Sequence, residues 1–249
     1  MAAAVQYGFG SGILYGIRND ITNQTPVRFG VLQDVSIEFS AEAKELYGQL
    51  QFPVDVARGK AKITGKAKFG QISPLLFNNI FFGQTETTGQ KLFAYNETRT
   101  FATSVTGNLV TGGVTFDTDL GPLYASTGTP LTLVASGPTL GQYAVNTSTG
   151  VYTFNASDTG SVMLNYTATT TASGNTIAGP NLLMGNTPKF QAVFNQTYGG
   201  ETTTLKLYSC VSSKLSMPTK IDDYIIPEID FSAFANASGS VFELSMTGS

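Results

Sequence analysis

Between Val31 and Phe69 the chain alternates polar and apolar residues with a period of two, twice over. In Asp34-Val35-Ser36-Ile37-Glu38-Phe39-Ser40-Ala41-Glu42 the even positions are polar or acidic and the odd ones apolar, the pattern of a strand with one wet face and one dry face. The alternation returns in Lys60-Ala61-Lys62-Ile63-Thr64-Gly65-Lys66-Ala67-Lys68-Phe69, with lysines on the even side. Tyr47-Gly48 and Pro53 supply a connecting loop, so the spacing predicts an antiparallel hairpin with an acidic strand facing a basic one. Opposite charges facing across such a ladder contribute roughly 0.2 to 1 kcal/mol per pair.

Around this hairpin the pattern is mostly that of strands. Residues 1–30 mix Gly8, Gly10, Gly12 and Gly16 with Phe9, Ile13, Leu14, Tyr15 and Ile17, which reads as an extended arm or first strand. A phosphate-binding loop needs a preceding strand and a following Gly-Lys-Ser/Thr, and neither is present. Ser73 as N-cap, Pro74 at the first helical position and the apolar stripe Leu75, Leu76, Phe77, Ile80 and Phe81 predict a helix of about two turns ending before Gly83. Further strands are expected at Leu131–Ala135, Val151–Phe154, Val162–Thr167, Phe190–Asn195, Thr203–Val211 and Val241–Met246, and a linker from Thr167 to Ala178.

Charge divides this pattern into parts. Residues 100–188 contain no lysine or arginine and only three acids, Asp117, Asp119 and Asp158. That shift predicts a charge-poor β module inserted at 100–188 into a core made of residues 1–99 and 189–249. The expected class is mainly β: an antiparallel β-sandwich with one short flanking helix, plus the small inserted β module.

Composition narrows the chemistry. Charged residues make up 12% of the 249 residues, about half the usual share, so neutral polar side chains or other subunits must cover the surface. A net charge of −3 provides no basic footprint for sequence-reading nucleic-acid binding. With no histidine and one cysteine, Cys210, an intrachain disulfide, a Ser-His-Asp triad and the common zinc sites are excluded, and Cys210 reads as a core thiol. Carboxylate pairs remain at Asp117/Asp119, Asp222/Asp223 and Glu228/Asp230, but acids in exposed turns are far commoner than glycosidase or calcium sites. We expect no enzyme activity and no cofactor. The N-terminal residues show neither a positive region nor a long apolar run, so no secretory leader and no membrane span is expected, and folding is expected in the cytosol.

The hairpin itself is the main candidate site. Lys44, Arg58, Lys60, Lys62, Lys66 and Lys68 place six of the fourteen basic residues within 25 positions. They stand ready for phosphate contact or for cross-strand and inter-subunit pairing with Asp34, Glu38 and Glu42, and the count over this face comes out slightly basic.

The chain resembles a family. Leu14-Tyr-Gly-Ile-Arg-Asn-Asp, Phe29-Gly-Val-Leu-Gln-Asp-Val-Ser-Ile-Glu, Leu46-Tyr-Gly, Pro53, Ala57-Arg-Gly and Lys60-Ala-Lys-Ile-Thr-Gly-Lys-Ala-Lys look like the core hairpin of tail tube proteins from long, non-contractile-tailed bacteriophages. Gly141-Gln-Tyr, Gly150-Val-Tyr-Thr-Phe-Asn, Asp158-Thr-Gly, Lys214-Leu-Ser-Met-Pro-Thr-Lys-Ile-Asp-Asp and Ile229-Asp-Phe-Ser-Ala-Phe extend the likeness over most of the chain. The resemblance implies six copies per ring and rings stacked into a tube that passes tape measure protein and then double-stranded DNA. It further implies tail terminator and tail-tip proteins as partners, and a place in the virion after assembly in the bacterial cytoplasm. In this sequence it marks Asp34, Glu38, Glu42, Lys44, Lys60, Lys62, Lys66 and Lys68 as channel-lining or inter-subunit candidates. Tyr47, Gly48, Pro53, Asp55 and Arg58 are then candidates for contacts between rings. A capsid-decorating or host-surface-binding β-sandwich is the alternative.

Overall fold

The computed structural model describes residues 6–247, of which strands dominate: the chain is 54% strand and 4% helix. Met1–Val5, on which part of the expectation about a leader rests, lies outside the described residues. The chain forms two compact units, one made of the residues up to 85 together with those from 177 onward, the other of residues 86–176. The middle of the chain is thus a separate unit, but its limits are 86 and 176 where the charge pattern placed them at 100 and 188. The reason is that the unit's first strand begins at Glu86, before the charge-poor stretch, and its last ends at Ile177, inside it.

The first unit is built on β1 (Ile13–Arg18), β2 (Val27–Arg28), β3 (Leu32–Tyr47) and β4 (Pro53–Phe69), followed by a helical turn α1 (Pro74–Phe77). The chain leaves it for β5 (Glu86–Thr100), β6 (Val105–Thr106), β7 (Thr115–Asp119), β8 (Leu123–Tyr124), β9 (Thr132–Leu133), β10 (Gln142–Asn146), β11 (Val151–Phe154) and β12 (Ser161–Ile177). It returns as β13 (Phe190–Tyr198), β14 (Glu201–Ser216), β15 (Glu228–Ala233) and β16 (Phe242–Met246). The first unit's strands make one antiparallel sheet in the order β2-β1-β13-β14-β15-β4-β3, with β16 beside β14. Along one edge β14 carries two partners in tandem, β16 at Thr203–Leu207 and β15 at Cys210–Ser216.

Connectivity forces this sheet to curl. Its edge strands β2 and β3 are joined by residues 29–31 alone, a reach of about 14 Å, whereas the edges of a flat sheet of this order would lie about 29 Å apart. The curl brings Phe29 and Phe69 into edge-to-face contact at 5.3 Å, and Val31 takes a left-handed φ of 51° to turn the corner. Inside the curl lie Leu14, Phe29, Ile63, Ala67, Phe69, Phe190, Leu207, Cys210, Ile229 and Phe231. Burial pushes the Cys210 thiol up to about 12, which keeps it protonated and inert.

The helix closes one end of this core with Leu76, Phe77 and Ile80. Ser73 caps it by accepting from the Leu76 amide at 3.3 Å, with Pro74 next, as the sequence predicts. Its second half, Asn78–Phe82, widens into a π turn ending at Gly83, with a left-handed φ of 66°. The Asn78 side chain bonds both the amide and the carbonyl of Gln84, drawing the chain out of α geometry. Leu75, expected in the buried stripe, is exposed.

The predicted hairpin is present, β3 and β4 pairing from Leu32↔Phe69 to Tyr47↔Pro53. The period-two reading holds where β15 lies alongside: Ile63, Gly65, Ala67 and Phe69 are buried and the intervening lysines are not. Beyond Ile63 it fails. A bulge puts Ala41 opposite Ala61 but Ala43 opposite Arg58, so Arg58 turns onto the face of Ala61, and both faces of the outer hairpin are solvent-exposed.

The second unit is a small sandwich of two four-stranded sheets, β5-β12-β7 with β8 beside β12, and β6-β11-β10-β9. The short β9–β10 pair is parallel, whereas β10–β11, β6–β11, β7–β12 and β8–β12 are antiparallel. The core between them holds Phe116, Tyr143, Tyr152, Phe154, Leu164 and Tyr166. Buried tyrosine hydroxyls need partners, and acids supply them: Tyr143 and Tyr152 donate to Asp119 at 2.5 and 2.7 Å, Tyr124 to Asp158 at 2.5 Å, and Tyr166 to Glu97 at 2.7 Å. Burial first, then the Glu97 carboxylate, pushes the Tyr166 phenol up to about 12. Two of the unit's three predicted acids thus serve as internal acceptors. The expected linker Thr167–Ala178 is instead the second half of β12 up to Ile177, pairing with β7 at Thr167–Thr169 and bonded to β5 through Thr176 and Gly89. Threonine-rich composition suits a strand as well as a linker, and a partner strand decides between them.

Gly65 lies against Phe231: a Cβ there would sit 2.2 Å from the ring. Gly65→Ala is expected to lower unfolding stability by about 1 to 3 kcal/mol through overpacking, read as a lower urea midpoint at unchanged slope; a wild-type midpoint would contradict this packing.

Candidate functional site

The polar face of the sheet is organised around one carboxylate. Glu228 on β15 stands opposite Lys68 and accepts from Lys66 at 2.8 Å and Lys214 at 2.9 Å, with Lys68 at 4.0 Å. Its side chain is mostly buried, so these charges interact through a less polar medium than the surface pairs do. The hydrogen bonds from Lys66 and then Lys214 hold the Glu228 carboxyl below its usual range, and Glu228 in turn raises Lys214. Asp230, two residues on along the same face, lies 3.8 Å from Lys214.

Strand register places the predicted residues around this centre. Asp34 faces Lys68 and Glu38 faces Thr64 across the ladder. The expected cross-strand ion pairs to Asp34, Glu38 and Glu42 are not formed among the described residues. Lys66 and Lys68 turn the other way, to Glu228, because the acids of β3 sit on the sheet's outer edge in full solvent. Glu42 instead pairs with Lys44 on its own strand at 3.4 Å. Over the part of the face paired to β15, Asp34, Glu38, Glu228 and Asp230 stand with Lys66, Lys68 and Lys214, and Lys62 follows one residue beyond the pairing, which makes four of each sign. To the three acids and five lysines of the hairpin, β14 and β15 add Glu228, Asp230 and Lys214, so over the whole face five acids stand against six lysines and the slight basic excess narrows. Alternating acids in Glu228-Ile229-Asp230 were the available signal.

Past Ile63, β4 has β3 as its sole partner strand among the described residues, and the two run on as a free ribbon to the turn near Gly48. Lys60 lies in the bulge, the Tyr47 hydroxyl bonds the Glu45 carboxylate, Pro53 opens β4, and Asp55 accepts from the Val56 amide at 2.9 Å. The ribbon is apolar at its tip: Leu50 is 82% and Phe52 81% exposed, with Leu46, Tyr47, Val54 and Val56 also in solvent. A two-stranded hairpin without a packed face is marginally stable in water, so these side chains mark a surface made to be covered.

Where the ribbon leaves the sheet, a slot of about 510 Å³ opens between it and the segment from Ala233 to Phe242. Phe39, Ala61, Ile63, Phe234 and Phe242 line it, Phe39 and Phe242 in edge-to-face contact at 5.1 Å, and Arg58 and Lys62 stand at its rim. The bulge at Gly59-Lys60 is what turns Arg58 toward it. Sequence reading missed this slot because Val241 and Phe242 lie far along the chain from the hairpin.

Among the described residues no cluster of His, Cys, Asp and Glu is arranged to hold a metal, and no helix is long and apolar enough to cross a membrane. These features define a mainly antiparallel β protein with one charged sheet face and one uncovered ribbon. No protein-family model matches the chain, and no curated protein is significantly similar to it in sequence.

Because the Glu228 carboxyl is depressed in the folded state, its stabilising effect is complete above the ordinary glutamate value near 4.3 and is lost as pH falls through the depressed one. Thermal unfolding midpoints of wild type and Glu228→Gln are expected to differ at pH 7 and converge as pH falls below about 4. A constant gap across that range would show that Glu228 does not act through its charge.

Proposed function

We propose that the chain is a structural subunit of the tail tube of a long, non-contractile-tailed bacteriophage. Copies assemble into six-fold rings, and the rings stack into a tube that passes tape measure protein and then double-stranded DNA. The observation that carries this reading is the free ribbon, Phe39–Tyr47 with Pro53–Lys62, apolar at its tip and without a covering layer. It belongs to a sixteen-residue edge strand, β3, whose outer side has no partner strand among the described residues. Such an edge invites pairing with another copy, and head-to-tail contacts that close by rotation make rings.

The charged face supports a channel role for Asp34, Glu38, Lys62, Lys66 and Lys68. With Glu228, Asp230 and Lys214 beside them these make four acids and four lysines, so this part of the face has no net positive lining to trap phosphate, which suits passage of DNA without sequence reading. The partners are other copies of the chain, with tail terminator and tail-tip proteins at the tube's ends; the location is the virion, after assembly in the bacterial cytoplasm. No catalysis or cofactor is part of the proposal.

One observation favours a second reading, a decoration or host-surface binding protein. Phe93 and Tyr95, two positions apart on the edge strand β5 of the middle unit, share an exposed face. Electron microscopy of the purified protein across a range of concentrations separates the two. Six-fold rings or hollow tubes are expected; compact single copies at every concentration would overturn the tube and favour the binding module.

A further inference from the structure

The slot beside the ribbon needs an occupant with two properties. Its floor is aromatic and aliphatic, and its rim holds Arg58 and Lys62, neither of which has an ion-pair partner among the described residues. The guest must therefore be apolar and acidic together. Several exposed segments are apolar: Leu182–Met184 and Leu50–Phe52 carry no acid, and Glu45-Leu46 and Val54-Asp55-Val56, which do, are held in the paired strands of the ribbon and not in a free loop. The connection from β14 to β15 has both properties in Ile221-Asp222-Asp223-Tyr224-Ile225, where Ile221 is 100% and Tyr224 87% exposed. Asp223 accepts from the neighbouring Tyr224 amide at 2.9 Å, and its one ion pair, to Lys220 at 3.5 Å, is exposed and contributes little.

The same chain does not fill its own slot. The loop joins β15 at Glu228, opposite Lys68, whereas the slot begins at Ala233, opposite Ile63, about 17 Å further along the strand. Ile221 and Tyr224 are uncovered within the chain, so the two surfaces are complementary and both vacant at opposite ends of one strand. That is the arrangement of a head-to-tail contact, in which each copy offers a guest at one end and a receptor at the other.

We propose that the slot lined by Phe39, Ala61, Ile63 and Phe242 receives the 221–225 loop of a neighbouring copy, with Ile221 and Tyr224 on the apolar floor and Asp222 and Asp223 against Arg58 and Lys62. This deepens the tube reading and rests on it, since it names the contact by which one copy holds the next. Charge sets the register and the apolar pair provides the buried area.

A charge-swap series tests it. Arg58→Glu with Lys62→Glu, Asp222→Lys with Asp223→Lys, and all four substitutions together are compared with wild type by sedimentation velocity, with thermal unfolding to confirm that each is folded. Each double substitution is expected to lower the assembled fraction about tenfold or more, and the fourfold variant to restore most of it, because opposite charges again face each other. If wild type assembles and both double variants assemble equally well, or if the fourfold variant is no better than the doubles, the docking is wrong while the tube reading stands. If wild type stays a single copy at every concentration, the docking and the tube reading fall together.

Discussion

A β-strand in water needs partners along its edges and a dry face for its apolar side chains, and β4 has these for only half its length. From Ile63 to Phe69 it lies between β3 and β15, with Ala67 and Phe69 in the core and its lysines gathered on Glu228. From Pro53 to Lys62 it has one neighbour and no core. The first half anchors the strand and the second presents it. Burial in the anchored half offsets the ordering of a ribbon that would be marginal alone. The slot, the displaced Arg58 and the exposed tip all arise from this division.

Glu228 ties the charged face to the same division. Pairing of the β4 lysines with the acids of β3 would have closed the hairpin electrostatically on itself. The lysines turn instead to a less solvated carboxylate on the interior side, where attraction is stronger, and Asp34 and Glu38 are left facing outward. In the proposed tube those acids face the channel or the next subunit, and the balance of signs keeps the lining from holding a polyanion.

Much of this was legible in the residues. Period-two alternation located the hairpin, Ser73-Pro74 located the helix start, and the loss of charge after Arg99 announced a separate middle unit. What was illegible depended on partners distant in sequence or on side chains bonding backbone. Thr167–Ile177 looks like a linker until β5 and β7 lie beside it. The π turn depends on Asn78 gripping Gln84, and the bulge at Gly59-Lys60, which reverses the facing of Arg58, leaves no mark in a pattern of small and charged residues. The candidate site was half visible for the same reason: the hairpin's residues were named, but Glu228, Asp230, Lys214 and Phe242 reach them only through the sheet.

The central claim is that the outer ribbon is completed by other copies of the chain. Amide hydrogen exchange at low and high protein concentration tests it most directly. The account predicts that amides in residues 39–62 exchange fast in dilute protein and become protected as assemblies form, while those of Leu205–Cys210 stay protected throughout. Exchange in the ribbon that is equally slow at all concentrations, or equally fast within assembled particles, would contradict it.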